Sequence, residues 1–326
     1  MQRLKALLLA SAWSVFFAAP AQAAYPEKTI RIVITTTAGG QADVVARVLA
    51  VKLSEKFGTP VIVEAKPGAN GIIATDSVAK SAADGYTLLL ATGSHAINPA
   101  VYPKLPFNPK RDFSAVAQVL PPGPLVLVAH PSLGVKSVDE LIALARSKPG
   151  SLAYASAGVG NTTHLGGEMF QQLTGVQLTH VPYKGMSQAV TDVVSGQVPL
   201  MFNPWQSSEN FVKEGKLKVL AQTGVVRMST LPAVPTMAEA GVKGFDLTGW
   251  YVLLAPAGTP ADAVNKLNAA VFEAMSSADT KAKLASLGST TVQAFTPAEV
   301  GTFIATETAR MERVAKTAGI ALETPN

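Results

Sequence analysis

Residues 30–53 read IRIVITTTAGGQADVVARVLAVKL. The β-branched run Ile30 to Thr35 predicts a strand, and the small residues Thr36 to Gly40 predict a loop. A helix is expected from about Ala42 to Phe57, with Val45, Leu49 and Leu53 spaced to form one apolar face. Gly58 stands where a C-cap glycine belongs. The pattern continues with a strand at Val61-Ile62-Val63-Glu64, a turn at Pro67-Gly68-Ala69-Asn70-Gly71, a helix from Ile72 to Ser81 and a third strand from Tyr86 to Ala91. Such β-α-β-α-β alternation predicts a parallel sheet covered by helices.

Farther along, Pro121-Pro122-Gly123-Pro124 reads as a rigid break before the apolar run Leu125 to Ala129. Ser137 with Glu140 three residues on resembles a capping box and opens a helix. Strands are then expected at Leu152 to Ser156, Thr179 to Pro182, Val198 to Phe202 and Leu217 to Thr223, with helices from Thr163 to Leu173 and from Ser187 to Ser195. A strand from Trp250 to Ala255 precedes Thr259-Pro260, a cap followed by proline in the first turn of a helix from about Ala261 to Met275. Thr296-Pro297 repeats that arrangement before a last helix, Ala298 to about Ala318.

These last helices have no sheet of their own, so the simplest packing returns them to the first α/β unit. The expected organisation is domain 1 from residues 24–122 plus 248–326, and domain 2 from 123–247. The chain crosses between them near Leu120 to Leu125 and near Phe245 to Trp250. Two lobes joined by two crossings make a hinge with a cleft. Ligands of open α/β sheets bind beyond the carboxyl ends of strands, here the loops after Thr35, Ala91, Ser156 and Phe202.

The N-terminus carries Arg3 and Lys5, an apolar run from Ala6 to Ala19, Pro20, and then Ala21-Gln22-Ala23. This is the layout of a secretory signal peptide of residues 1–23, cleaved after Ala23. Its apolar run is too short for a spanning helix, and polar residues or prolines interrupt every later one. The mature chain is therefore expected outside the cytoplasm and not inserted in the membrane. The sequence has no cysteine, which excludes thiolate metal sites, cysteine nucleophiles and a lipid-bearing cysteine. The formal charge is +5, and removing Arg3 and Lys5 leaves 25 basic residues against 22 acidic. With no run of five Lys or Arg, nucleic-acid binding has little support.

Two loops carry the ligand chemistry. Thr37, Ala38, Gly39 and Gly40 precede a helix whose free N–H groups suit a carboxylate, and Asp43 in its first turn is a candidate either to cap the loop or to touch ligand. Ser156, Asn161, Thr162 and Thr163 form a second donor-rich turn, where one hydroxyl can cap while another binds. Ser94 and His95 are expected to add side-chain contacts after the third strand. Phe202, Asn203 and Trp205 are candidates for a wall, with core packing the competing reading for Phe202, and Tyr183 is a third-loop candidate. Neutral donors and helix dipoles can hold an anion without the desolvation cost of a buried ion pair.

None of the four histidines (His95, His130, His164, His180) is paired at metal-ligand spacing, and there is no P-loop, no G-x-G-x-x-G and no G-x-S-x-G. No cofactor, no metal and no catalytic residue is expected. A transport receptor, a ligand-presenting subunit for a sensor kinase and a secreted hydrolase are the competing functions.

At these residues the chain resembles the Bug, or TctC-type, extracytoplasmic receptors of tripartite tricarboxylate transporters. The resemblance runs through Tyr25-Pro26, Ala38-Gly39-Gly40 with Asp43 and Arg47, and Pro67-Gly68-Ala69-Asn70-Gly71. It continues through Asp84-Gly85-Tyr86, Ala96-Ile97-Asn98-Pro99, Arg111-Asp112-Phe113 and His180-Val181-Pro182-Tyr183-Lys184-Gly185. Leu231-Pro232-Ala233-Val234-Pro235-Thr236 and Ala255-Pro256-Ala257-Gly258-Thr259-Pro260 complete it. It implies a type II periplasmic-binding-protein fold with a closing cleft between domains. The implied ligand is a small carboxylate held by Ala38, Gly39, Gly40, Ser94, Ser156, Asn161, Thr162 and Thr163. A periplasmic monomer that hands its ligand to membrane transporter subunits is the expected working form. Thr35-Thr36-Thr37 replaces the family's proline-containing approach to the first loop and predicts a more polar pocket. The neutral Asn203 offers no carboxylate for an amino-acid ammonium, which points to a dicarboxylate or an aromatic acid.

Overall fold

The computed structural model describes residues 25–102, 104–286 and 293–317. The expected signal peptide lies outside these residues. The element order is β1 (Ile30–Ile34), α1 (Gln41–Phe57), β2 (Val61–Ala65), α2 (Ile72–Ala79), β3 (Thr87–Thr92), α3 (Ser94–Val101) and β4 (Phe113–Ala129). There follow α4 (Val138–Ser147), β5 (Ala153–Ser156), α5 (Thr162–Thr174), β6 (Thr179–Pro182), α6 (Met186–Val194), β7 (Leu200–Pro204), α7 (Glu209–Lys213) and β8 (Lys218–Gln222). The chain continues with β9 (Thr248–Pro256), α8 (Ala261–Ser276), α9 (Ala278–Ser286) and α10 (Pro297–Thr317).

The strands lie in the order β2-β1-β3-β9-β4-β7-β5-β6, with β8 also on β4. The sheet as a whole is mixed, and within it the first three strands form the parallel unit expected from their alternation with helices. The three strands β1, β2 and β3 are parallel to one another, as are β5, β6 and β7. The long strands β4 and β9 run antiparallel between these two sets. Each parallel set comes from local βα repeats, whereas β4 and β9 join chain segments far apart in sequence.

The proline segment 121–124 is not a break. It lies inside β4, the longest strand at 17 residues. Its ladder to β9 is irregular there: Leu120 pairs with Tyr251 and the next pair is Gly123 with Gly249. Proline cannot donate to a ladder and is tolerated at such irregularities. The N-terminal part of β4 pairs with β9, and its C-terminal part pairs with β7 and β8. Two adjacent strands thus join the two halves of the sheet.

Strand alternation explains why helices cover both faces. Ile30, Ile32, Ile34, Leu88 and Leu90 pack with Val45, Leu49 and Leu53 of α1 and with Leu267 and Val271 of α8. The alternate residues Val33, Leu89 and Ala91 pack on the opposite side with α2, α3 and α10. In the other half, Val126, Val128 and Met201 pack under α6, while Leu125, Leu127 and Phe202 face the side that holds α4 and α5. The C-terminal helices α8 and α10 pack on β4, α1 and α3, that is, on the first half. As read from sequence, α1 ends at Gly58, whose left-handed backbone (φ 64°) lets its N–H reach the Ser54 carbonyl.

Candidate functional site

A cavity of about 740 Å³ lies between the two halves, within the usual range for small-molecule sites. Its first wall comes from residues 35–37, 40–42, 67–71 and 92–94, and its second from residues 157–159, 161–163 and 182–186. Five helices begin at it: their N-caps Gly40, Gly71, Gly93, Asn161 and Gly185 all line the cavity. Four of these caps are glycines without a side-chain cap bond of their own. No acidic residue sits in the first turn of α2, α3, α5 or α6. Converging N-terminal dipoles with uncapped N–H groups produce a positive potential that favours anions.

The side chains at the base of the cleft form one polar network. Ser94 Oγ donates to Asn70 Oδ1 at 2.9 Å. Asn161 Nδ2, from the opposite wall, donates to Ser94 Oγ at 3.4 Å and to Asn70 Oδ1 at 3.5 Å. Asn70 is held in place from behind, because its Nδ2 donates to Asn98 Oδ1 at 2.7 Å and its carbonyl accepts from Asn98 Nδ2 at 3.2 Å. Asn70 and Ala69 both adopt positive φ, 50° and 44°. Such backbone costs on the order of 1–3 kcal/mol per residue and persists where neighbours over-determine it. The Asn161 carboxamide oxygen caps α5 by accepting from the Thr163 N–H at 3.0 Å.

Other contacts bridge the two walls. The Tyr102 hydroxyl donates to the Val159 carbonyl at 3.2 Å. Gln41 Nε2 donates to Gln206 Oε1 at 2.7 Å, while its Oε1 accepts from the Tyr251 hydroxyl at 2.8 Å. Gly185 approaches Thr37 so closely that a Cβ there would lie 2.8 Å from Thr37 Oγ1. Thr36 Oγ1 is buried and makes no hydrogen bond among the described residues; it lines the cavity and is available to a ligand.

Of the residues expected at the site, Thr37, Gly40, Ser94, Asn161, Thr162, Thr163 and Tyr183 line the cavity. Part of the second turn's donor capacity is spent on itself: Thr163 Oγ1 accepts from the Ala157 N–H at 2.9 Å. The Tyr183 hydroxyl is also committed, donating to Asp192 Oδ2 at 2.7 Å. Burial, and then that carboxylate, push its pKa up to about 12, so Tyr183 offers its ring to the cleft.

The remaining expectations need correction. Ala38 and Gly39 are exposed and do not line the cavity; Gly39 is required for its left-handed backbone, φ 83°. Asp43 holds that loop, accepting from the Gly39 N–H at 3.0 Å and from Arg47 Nε at 3.0 Å. Burial alone would raise the Asp43 pKa, but the Arg47 and Gly39 hydrogen bonds outweigh it and keep the pKa low. His95 turns away from the cleft, with ring centroids 5.4 Å from Phe113 and 6.5 Å from Phe107. Burial there lowers its pKa to about 4. Ser156 is fully buried and braces its own loop, sharing a 2.6 Å hydrogen bond with His180 Nε2 and accepting from the Gly158 N–H at 3.1 Å.

Phe202, Asn203 and Trp205 form no wall. Phe202 stacks on Phe245 at 5.8 Å and lies against Gly166, where a Cβ would come within 2.6 Å of its ring. Asn203 is completely buried and donates to Ser208 Oγ at 2.6 Å. Trp205 packs with Val126, Val128 and Met201. Phe202 and Asn203 lie on β7, an interior strand with helices on both faces, and Trp205 follows it in a short turn packed against α6; only Pro204 and Ser207 from this segment reach the cleft.

Sequence reasoning missed Asn70, Tyr102, Gln41, Tyr251 and Lys184. Asn70 was findable, since its turn follows the carboxyl end of β2 as the other loops follow theirs. Tyr251 and Tyr102 carried no local signal; they reach the cleft through the β9 crossing and the end of α3. Among the described residues no group of three or more His, Asp or Glu side chains could hold a metal ion, and no helix is long and apolar enough to cross a membrane.

The sequence and the fold both have known relatives. The family model described as Tripartite tricarboxylate transporter family receptor matches residues 45–320. Protein BugT of Bordetella pertussis is 38% identical over 326 residues, covering 99% of each chain. The solved structure of R. palustris Rpa4515 with adipate superposes with a TM-score of 0.87 at 37% identity, covering 91% of this chain and 99% of that one. MatC from Rhodopseudomonas palustris with bound malate gives a TM-score of 0.84 at 32% identity, covering 89% and 99%.

Proposed function

The chain belongs to the tripartite tricarboxylate transporter receptor family, the TctC or Bug family, and from that premise we propose that it captures a small carboxylate in the periplasm and passes it to membrane transporter subunits. The family is one of solute-binding proteins and not of enzymes. A dicarboxylate or an aromatic acid is the favoured ligand. The observation that carries this reading is the convergence of five helix N-termini on a cleft lined by no acidic side chain. An anion gains from the four dipoles whose first turns hold no acid, whereas an amino-acid ammonium would be buried without a counter-charge.

Two structural relatives hold adipate and malate, which supports a ligand with two carboxylates. The contacts across the cleft from Asn161, Tyr102 and Gln41 support a grip that is completed when both walls meet. Neutral donors suit a transport receptor, because a bound carboxylate must also be released.

A thermal-shift and calorimetric panel of aliphatic dicarboxylates, aromatic acids and amino acids tests the proposal. A ligand at 100 times its Kd stabilises the native state by about 2.7 kcal/mol, a readily measured rise in Tm. Dicarboxylates or aromatic acids are expected to produce it. A rise with amino acids alone defeats the proposal.

A further inference from the structure

Among the described residues that line the cleft, Lys184 alone is charged. It belongs to the connection between β6 and α6, on the wall opposite α1. No described carboxylate forms an ion pair with it, whereas Lys66 of the first wall's side pairs with Glu64 at 3.3 Å. The acidic group of α6 closest in sequence, Asp192, accepts the Tyr183 hydroxyl. The residue after Lys184, Gly185, caps α6 without a side-chain bond, and the first turn of α6 has no acid. A lysine cation and an unscreened helix N-terminus therefore act at the same place in the cleft.

The Asn70, Ser94 and Asn161 network is composed wholly of neutral groups and suits one carboxylate. Lys184 and the α6 terminus lie in a separate segment that meets the α1 loop, where Gly185 contacts Thr37. A second carboxylate brought between closing walls would lose water, and only Lys184 offers it an opposite charge. Resting on the proposed carboxylate-binding role, we infer that Lys184 is the specificity-determining residue that recognises the second carboxylate of a dicarboxylate ligand. The ligand spans the cleft, one end on the neutral donors and the other on the lysine.

Matched acids test this. Isothermal titration compares adipate with hexanoate, succinate with butyrate, and terephthalate with benzoate, on the wild type, Lys184→Gln and Lys184→Arg. The wild type prefers the diacid of at least one pair. In Lys184→Gln the diacid weakens about 5- to 30-fold, as expected for loss of one charge-assisted contact, while the monoacid is unchanged. Lys184→Arg retains the preference. The diacid's affinity also falls less steeply with added salt in Lys184→Gln. Equal losses for both members of a pair, or no loss for the diacid, overturn the role of Lys184 and leave the receptor reading intact. Failure of the wild type to bind any of the six acids overturns both.

Discussion

Replacing Gly185 by alanine tests whether the two walls must touch for binding. The backbone there is extended (φ 173°) and accepts alanine without strain. An added Cβ would lie 2.8 Å from Thr37 Oγ1 and 3.0 Å from Thr37 Cγ2. Both are well inside van der Waals contact, and both branches of the threonine are involved, so turning its χ1 exchanges one clash for the other. Either the walls part by about half an ångström or the local packing is strained, at a cost of about 1–3 kcal/mol for an inserted methylene-sized group. The free protein escapes that cost by opening the cleft, so the penalty falls on the closed, ligand-bound form. Affinity for a bound dicarboxylate should drop about 5- to 150-fold, while the Tm without ligand changes little. Thr37→Ala removes both offending atoms and leaves only Thr37 Cβ, at 3.5 Å. The double variant should therefore recover most of the affinity lost by Gly185→Ala. Isothermal titration of the wild type, both single variants and the double variant gives the coupling between the two positions. Additive losses, with no recovery in the double variant, refute the idea that these walls meet around the ligand.

Asn161 separates cap from charge. Asn161→Asp keeps an acceptor for the Thr163 N–H and should hold the ligand-free Tm, yet it brings a carboxylate beside Ser94 and Asn70 and should lower dicarboxylate affinity at least about tenfold; equal binding by this variant would place the ligand elsewhere. Acid should destabilise the fold. His95 has a folded pKa of about 4 against an ordinary 6.5, so the unfolded chain takes up the proton first as pH falls. Its contribution is complete above pH 6.5 and is lost between 6.5 and 4, at a slope of up to about 1.4 kcal/mol per pH unit. His180, lowered to about 3 by burial and then by neighbouring His164, acts in the same direction. Urea unfolding at about pH 7.5, 5.5 and 4.5 should show this loss, and His95→Phe should flatten it; stability that holds or rises toward the lowest pH contradicts the assignment.

The sequence by itself determined the local elements and the family. The 3.6-residue spacing of Val45, Leu49 and Leu53, the β-branched run at Ile30 and the glycines at Gly40 and Gly58 place β1, its loop and α1 within a few residues, because periodicity and capping are local properties. The same logic finds the turns that begin α1 and α5, and with them Thr37, Gly40, Asn161, Thr162 and Thr163 at the cleft. Only the tertiary structure decided that β4 runs through its prolines to pair with β9, which depends on hydrogen bonds between segments more than a hundred residues apart. It also decided which side chains face the cavity. Phe202, Asn203 and Trp205 share a segment with Pro204 and Ser207, yet packing on both faces of β7 and against the turn that follows it buries the first three and leaves the other two at the cleft. Burial is a property of what packs against a residue, and no local pattern carries it.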